Sequence, residues 1–302
     1  MLKRNFFSVL LLAIGIFCSC TSNETEPTDY SKEIPVVFQV STLNVETQPM
    51  SKSTTSGSDI SDIVNSISVY IFNKSGERVN YIKSEFNRDE DPVPENFGTL
   101  QLKLLPDTYD IIAFAQGKGI TDISLSLTNN ILNSESYFTQ GNREVFYYKG
   151  EITVNENSNN FDITLPRKSA LLQIKLTGEV PEYITKVECV FNEYSKWYPL
   201  NSSYTNSYNF YEKKFNMEWS ENVMNEFNYY FAFLYDSPQN RTINIKIYGG
   251  ETKPLVEKSI SVPLYENRKT IVSGDLFSSI GDRGFSITID DSWGENVDVP
   301  IQ

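Results

Sequence analysis

The sequence predicts an all-β chain folded as two tandem antiparallel β-sandwiches. Three observations carry this expectation. Apolar and polar residues alternate with period two in segment after segment. Gly, Pro or Asn breaks these runs every roughly eight to twelve residues. Helical periodicity is weak throughout.

Taken in order, IPVVFQVST (34–42) sets Val36, Phe38 and Val40 on one face. SISVYIF groups Ile67, Val69 and Ile71, and Asn73 to Gly76 (NKSG) reads as the hairpin turn before ERVNYI. GTLQLKLL alternates through Leu100, Leu102 and Leu104; a Pro106-Asp107 turn then leads into YDIIAFA. NNFDITLP, SALLQIKLTG, YITKVECVF, RTINIKIYG, LVEKSISVPL, RKTIVSG and GFSITID follow as further strands. Within them Val187, Cys189 and Phe191 share a face. Ile243, Ile245 and Ile247 point to the core, with Asn244, Lys246 and Tyr248 outward. SENVMNEFN (220–228) is the best short helical candidate, and ISDIVNSI (60–67) has room for one turn. Ser51 to Asp62 reads as a mobile Ser/Thr/Gly-rich loop and Lys83 to Asn96 as an acidic one. At Leu165–Lys168 one strand ends at a proline and a fresh alternating run begins. This places sandwich domains at 34–166 and 167–302, with no close sequence repeat between them.

The N-terminus reads as an address. Lys3 and Arg4 precede an apolar run from Phe6 to Phe17, too short to span a bilayer and of secretory-signal length. Bulky Phe17 excludes cleavage before Cys18, whereas Cys20 follows Ser19 and precedes the polar stretch TSNETEPTDYSKE. The pattern resembles a bacterial lipobox, which implies a signal peptide over 1–19, lipidation (palmitate) of Cys20, and a flexible tether over 20–33.

Composition excludes several functions. The formal charge of −13 becomes −15 once Lys3 and Arg4 leave with the signal, so the chain repels nucleic acid and anionic headgroups. Of three cysteines only Cys189 stays free in the mature chain. No intrachain disulfide forms, and core burial must supply the stability. Cys189 on its strand reads as a buried structural thiol. The chain has no histidine, which removes the usual triads and nearly all zinc sites; no GxSxG elbow, P-loop or Rossmann fingerprint occurs. Asp290 and Asp291, adjacent on a strand, face opposite ways and cannot flank one bond. Asp89-Glu90-Asp91 offers oxygen ligands for calcium but reads as a solvated loop. The expectation is a non-enzyme without cofactor or metal.

Four ordered segments resemble the fimbrillin superfamily of Bacteroidia-type (type V) pili, particularly its FimB-like anchor and accessory lipoproteins. They are SVYIFNKSGERV, LLPDTYDIIAFAQGKG, LPRKSALLQIKLTG, and NRKTIVSGDLF with the closing ITIDDSWGE. The second is the most telling: a Leu-Pro turn leads into a Tyr-initiated strand ending at Phe114-Ala115, with Asp107 where the family often has Gly. The resemblance implies transthyretin-like sandwiches on a surface lipoprotein of the outer membrane. It further implies polymerisation with other fimbrial subunits by strand exchange, and adhesion to a host or bacterial receptor. Stalk subunits of the family lose their first strand to a protease, frequently one cutting after arginine. Between Arg4 and Arg78 this chain has no arginine, so its first strand stays attached, as expected of an anchor or assembly subunit.

Two readings remain beside this one. Aromatics crowd between Tyr194 and Tyr235, among them Trp197, Tyr198, Tyr204, Tyr208, Trp219, Tyr229, Phe231 and Phe233. They suit either a sandwich core or a glycan-binding surface of a polysaccharide-uptake system. The closing segment NVDVPIQ, alternating through Val297, Val299 and Ile301, reads as a donor strand, or else Trp293 before it caps the core.

Overall fold

The computed structural model describes residues 31–42, 60–87, 92–119, 124–139, 142–194, 196–197, 210–232, 238–275, 277 and 286–290. The first half contains β1 (Ile34–Thr42), one helical turn α1 (Ile60–Ile63), β2 (Ser66–Phe72), β3 (Arg78–Glu85), β4 (Thr99–Leu104), β5 (Asp107–Gly119), β6 (Leu125–Ser126), β7 (Tyr137–Thr139), β8 (Arg143–Val154) and β9 (Asn160–Leu165). The second contains β10 (Ser169–Thr177), β11 (Lys186–Tyr194), β12 (Lys196–Trp197), β13 (Phe210–Met217), β14 (Trp219–Ser220), β15 (Val223–Met224), β16 (Phe227–Ala232), β17 (Gln239–Tyr248), β18 (Val256–Leu264), β19 (Lys269–Asp275) and β20 (Ser286–Asp290). The chain is all-β, and its principal sheets pair face to face as sandwiches.

In the first half a three-stranded sheet, β4-β1-β9, faces a four-stranded one, β3-β2-β5-β8. Alternation drives this closure. Val36 and Phe38 of β1, Leu100 of β4 and Ile163 of β9 meet Ile67, Val69, Ile111, Ala113 and Phe146 from the opposite sheet. In the second half β16-β10-β19-β20 faces β13-β11-β17-β18 around Leu172, Ile174, Val187, Cys189, Phe191, Ile243 and Ile245. The strands expected from periodicity therefore form, and the inward faces assigned to β1, β2, β11 and β17 are buried, whereas Val79 and Tyr81 of β3 are exposed.

The two halves share one wiring. β10, β11, β13, β16, β17, β18 and β19 repeat the pairings of β1, β2, β3, β4, β5, β8 and β9. Each half opens with a strand that pairs antiparallel on one side and parallel, with a late strand, on the other: β1 with β4 and β9, β10 with β16 and β19. The sheets are thus mixed where antiparallel pairing alone was expected. Period-two alternation reports which face is buried and carries no information on the direction of a neighbour.

Other local expectations are corrected. Residues 220–228 form no helix; Glu221 and Asn222 adopt φ of 49° and 60°, joining β14 to β15 as a tight hairpin before β16 begins at Phe227. Two consecutive positive-φ residues reverse a chain with the twist that flanking strands favour. Lys83 to Glu85 belong to β3 rather than to the acidic loop. The other short helical expectation is met: α1 closes with Val64 N donating to Ile60 O at 3.0 Å.

The outer face of β2 is also buried, so all seven of its residues are hidden. Tyr70, Phe72, Ile112, Phe114, Val145 and Tyr147 form a second apolar layer, covered by Phe138 and flanked by Leu125, Leu127 and Leu132. The residues between β5 and β8 therefore act as a cover for the sheet.

Candidate assembly surface

β1 is held on three sides. Its register partners are Val36↔Leu102 and Phe38↔Leu100 on β4, and Phe38↔Phe161 and Val40↔Ile163 on β9. Its inward side chains Ile34, Val36, Phe38 and Val40 are buried. Burial contributes about 1.5–3 kcal/mol for each Val, Ile or Phe. The same arithmetic means that an empty β1 position would be an apolar slot between two unpaired strand edges, which only another strand satisfies.

The segment LLPDTYDIIAFA gains its local order from Tyr109. The Tyr109 hydroxyl donates to Leu105 O at 2.9 Å across the turn that holds buried Pro106, tying the β4–β5 connection to the start of β5. The NKSG turn is fixed by Asn73, whose Oδ1 accepts from Ser75 N at 3.1 Å and Glu77 N at 2.9 Å. Gly76 takes a φ of 83° there; a Cβ on it would meet Leu132 O at 2.8 Å.

The aromatic crowding between residues 194 and 235 resolves, where described, into core. The Phe191 ring lies 4.8 Å from Tyr229, 5.1 Å from Phe231 and 5.5 Å from Phe215, between centroids. Trp219 packs against the same cluster, and Trp197 sits on β12, which pairs with β7. Tyr198, Tyr204, Tyr208 and Phe233 lie outside the described residues. Beside the rings the Tyr229 hydroxyl donates to the buried carboxyl of Glu193. Burial pushes Glu193 up to about 7, against the opposing pull of Tyr229, Lys213 and Arg241. Burial likewise raises the Cys189 thiol to about 12, so it packs and does not react at neutral pH. Tyr248, expected to face out, is buried with the Lys186 ammonium 3.9 Å from its ring centroid.

Sequence reasoning missed the seam between the sandwiches. Arg167 Nε stands 2.6 Å from Glu144 Oε1, its guanidinium lies 5.1 Å from the Phe146 ring centroid, and its Nη1 donates to Asn267 Oδ1 at 2.9 Å. Lys168 pairs with Glu266 at 2.5 Å, Lys168 N donates to Val145 O at 2.8 Å, and Tyr230 N donates to Asn142 Oδ1 at 2.8 Å. The RK of LPRK, two cations at a strand junction, was the available sign.

Cys20, Asp89-Glu90-Asp91, Asp291, Trp293 and residues 295–302 lie outside the described residues, while Asp290 ends β20 opposite Lys269. Among the described residues no group of three Asp, Glu, Cys or His is placed to hold a metal ion, and no helix is long and apolar enough to cross a membrane.

No curated protein matches the chain in sequence. A candidate adhesin of Bacteroides thetaiotaomicron superposes with a TM-score of 0.51 at 9% identity, covering 85% of this chain and 95% of that one, and so shares the fold. Further structural neighbours include the tip fimbrial protein Mfa3 of Porphyromonas gingivalis (TM-score 0.41, 14% identity, 75% and 94% covered). Another is a fimbrial assembly protein of Parabacteroides distasonis (TM-score 0.41, 12% identity, 86% and 99% covered). The model of one family spans nearly the whole sequence, residues 27–302, and the chain belongs to it: a family of unknown function, DUF6562.

Proposed function

We propose that this chain is a lipid-anchored fimbrial subunit of the outer membrane, anchoring a surface fimbrium or assisting its assembly by strand exchange with other subunits. The observation that carries the reading is the place of β1, the central strand of its sheet, paired on both edges. Where such a strand is withdrawn, a slot opens for a neighbour; where it stays, the subunit closes an assembly. The absence of arginine between Arg4 and Arg78 favours a strand that stays, joined through the polar tether to acylated Cys20. Lipid attachment supplies about 0.8 kcal/mol per buried methylene, and stable anchoring takes two chains or more. On this reading the domains divide at 166/167, between β9 and β10, and the function is structural, not catalytic. The burial of Phe191, Tyr229 and Phe231 removes their rings from any glycan-binding face and weighs against the polysaccharide alternative.

The test is Cys20→Ser in the parent bacterium. The expected result is loss of the protein from the outer-membrane fraction together with shed or missing fimbriae. A variant that remains membrane-bound, or a deletion strain with normal fimbriae, overturns the reading.

A further inference from the structure

The shared wiring of the two sandwiches isolates one difference between them. β20 lies antiparallel along the outer edge of β19, with Ile287 opposite Val272 and Ile289 opposite Thr270. β9 holds the corresponding place in the first sandwich, and among the described residues no strand pairs with its outer edge. Burial differs at the start of the strand. Thr270, second residue of β19 under the covered edge, is fully buried at 0%, whereas Phe161, second residue of β9, is only half-buried, against Phe38 at 5.9 Å between centroids; further along, Ile163 is buried as Val272 is.

The backbone of β9 also has a defined outward side. Val37 N donates to Asn159 O at 2.9 Å, and in parallel pairing alternate residues address one neighbour. Phe161 and Ile163 therefore bond toward β1, while Asn160, Asp162 and Thr164 turn their N–H and C=O groups toward the free edge. The side chains of these last three are exposed.

We propose that the outer edge of β9 docks an extended strand from a partner polypeptide, antiparallel to β9, apolar at alternate positions and basic opposite Asp162. β20 is the template within the same molecule: in register, its apolar positions Ile287 and Ile289 stand opposite Val272 and Thr270 of β19, and its Asp290 opposite Lys269. On β9 the sign is reversed, since Asp162 is the charged residue of the strand. A Lys or Arg across from it pairs with that carboxylate. Residues 291–302 of this chain contain acids and no Lys or Arg, so they do not supply the complementary strand. β1 keeps its place in this arrangement. The strand is added to a free edge, and no cleavage precedes it. Naming its owner as a neighbouring fimbrial subunit rests on the function proposed above; the chemistry of the edge does not.

The experiment titrates the purified chain into a fluorescent eight-residue peptide with Ile at alternate positions and Lys between them, read by anisotropy. Saturable binding is expected, weakened about tenfold or more by Thr164→Pro, which removes an outward N–H and leaves the backbone bonds to β1 intact, at the loss of the Thr164 hydroxyl contact with Ser41. Asp162→Lys should weaken the lysine peptide similarly and gain affinity for a peptide with Glu in place of Lys. Unchanged melting temperatures show that both variants are folded, and Asp162→Lys carries the test where Thr164→Pro unfolds. Absent binding, or binding indifferent to Asp162→Lys, overturns the proposal. So does slow amide exchange at Asn160, Asp162 and Thr164 in the free chain, which would show the edge already covered by its own sequence. Only chain and peptide are present, so this result stands or falls separately from the fimbriae and fractionation that test the function.

Discussion

Glu193 shows how a single buried group ties stability to pH. Its carboxyl is raised from 4.5 to about 7, so the folded state holds the proton more tightly than the unfolded chain. The contribution to stability is therefore complete below about pH 4.5 and is lost as pH rises through 7. A shift of that size corresponds to on the order of 3 kcal/mol between acidic and alkaline conditions. Glu193→Gln should raise the melting temperature at pH 8 and leave it almost unchanged at pH 5. An equal gain at both pH values would remove ionisation as the cause. The residue was not legible beforehand, because alternation assigns Glu193 to the same face as Cys189 and Phe191 yet says nothing of a tyrosine waiting opposite. Cys189 itself was legible: a small apolar-behaving side chain between Val187 and Phe191 had only the core to enter.

Among the elements, turns separate what the sequence displays from what only the fold decides. NKSG was readable since Asn accepts from its own downstream amides and Gly takes positive φ without strain. Gly76→Ala should cost about 2 kcal/mol in denaturant unfolding, from a left-handed conformation made worse by contact with Leu132 O. A loss below a few tenths would show that the turn relaxes. The β14–β15 hairpin was unreadable, because Glu221-Asn222 lacks the glycine that usually marks such a reversal, and Val180 N donating to Asn222 O fixes it from outside. The cover over β2 and β5 was hidden for a related reason: alternation in SISVYIF marks Ile67, Val69 and Ile71 as one inward face and says nothing of what covers Tyr70 and Phe72 on the other. At the β9–β10 junction, Arg167→Ala strips the partner from the buried Glu144 carboxylate and should destabilise by about 3–5 kcal/mol. Pairing Arg167→Met with Glu144→Leu should recover most of that in the same denaturation assay; a double variant as weak as the single would place the loss in packing on Phe146 instead.

At the scale of the whole molecule, most of the principal strands and their inward faces followed from periodicity, whereas β8, β13 and the order of the strands did not. The two halves have no close sequence repeat, yet their wiring coincides, because many apolar sets satisfy one pattern of faces. That coincidence singled out the outer edge of β9, which no strand among the described residues covers and no local motif announces. It also has a temporal side. Ser41 and Thr164 touch across the β1–β9 pair though 123 residues separate them, and the second half repeats the device with β10 and β19. High contact order slows folding, because the cost of closing a long loop comes before its reward. A chain synthesised N-terminus first must hold its opening strand idle until the last strand of the same half emerges. Each sandwich thus locks only on completion, and a nascent half-chain is the moment at which chaperones have most to grip.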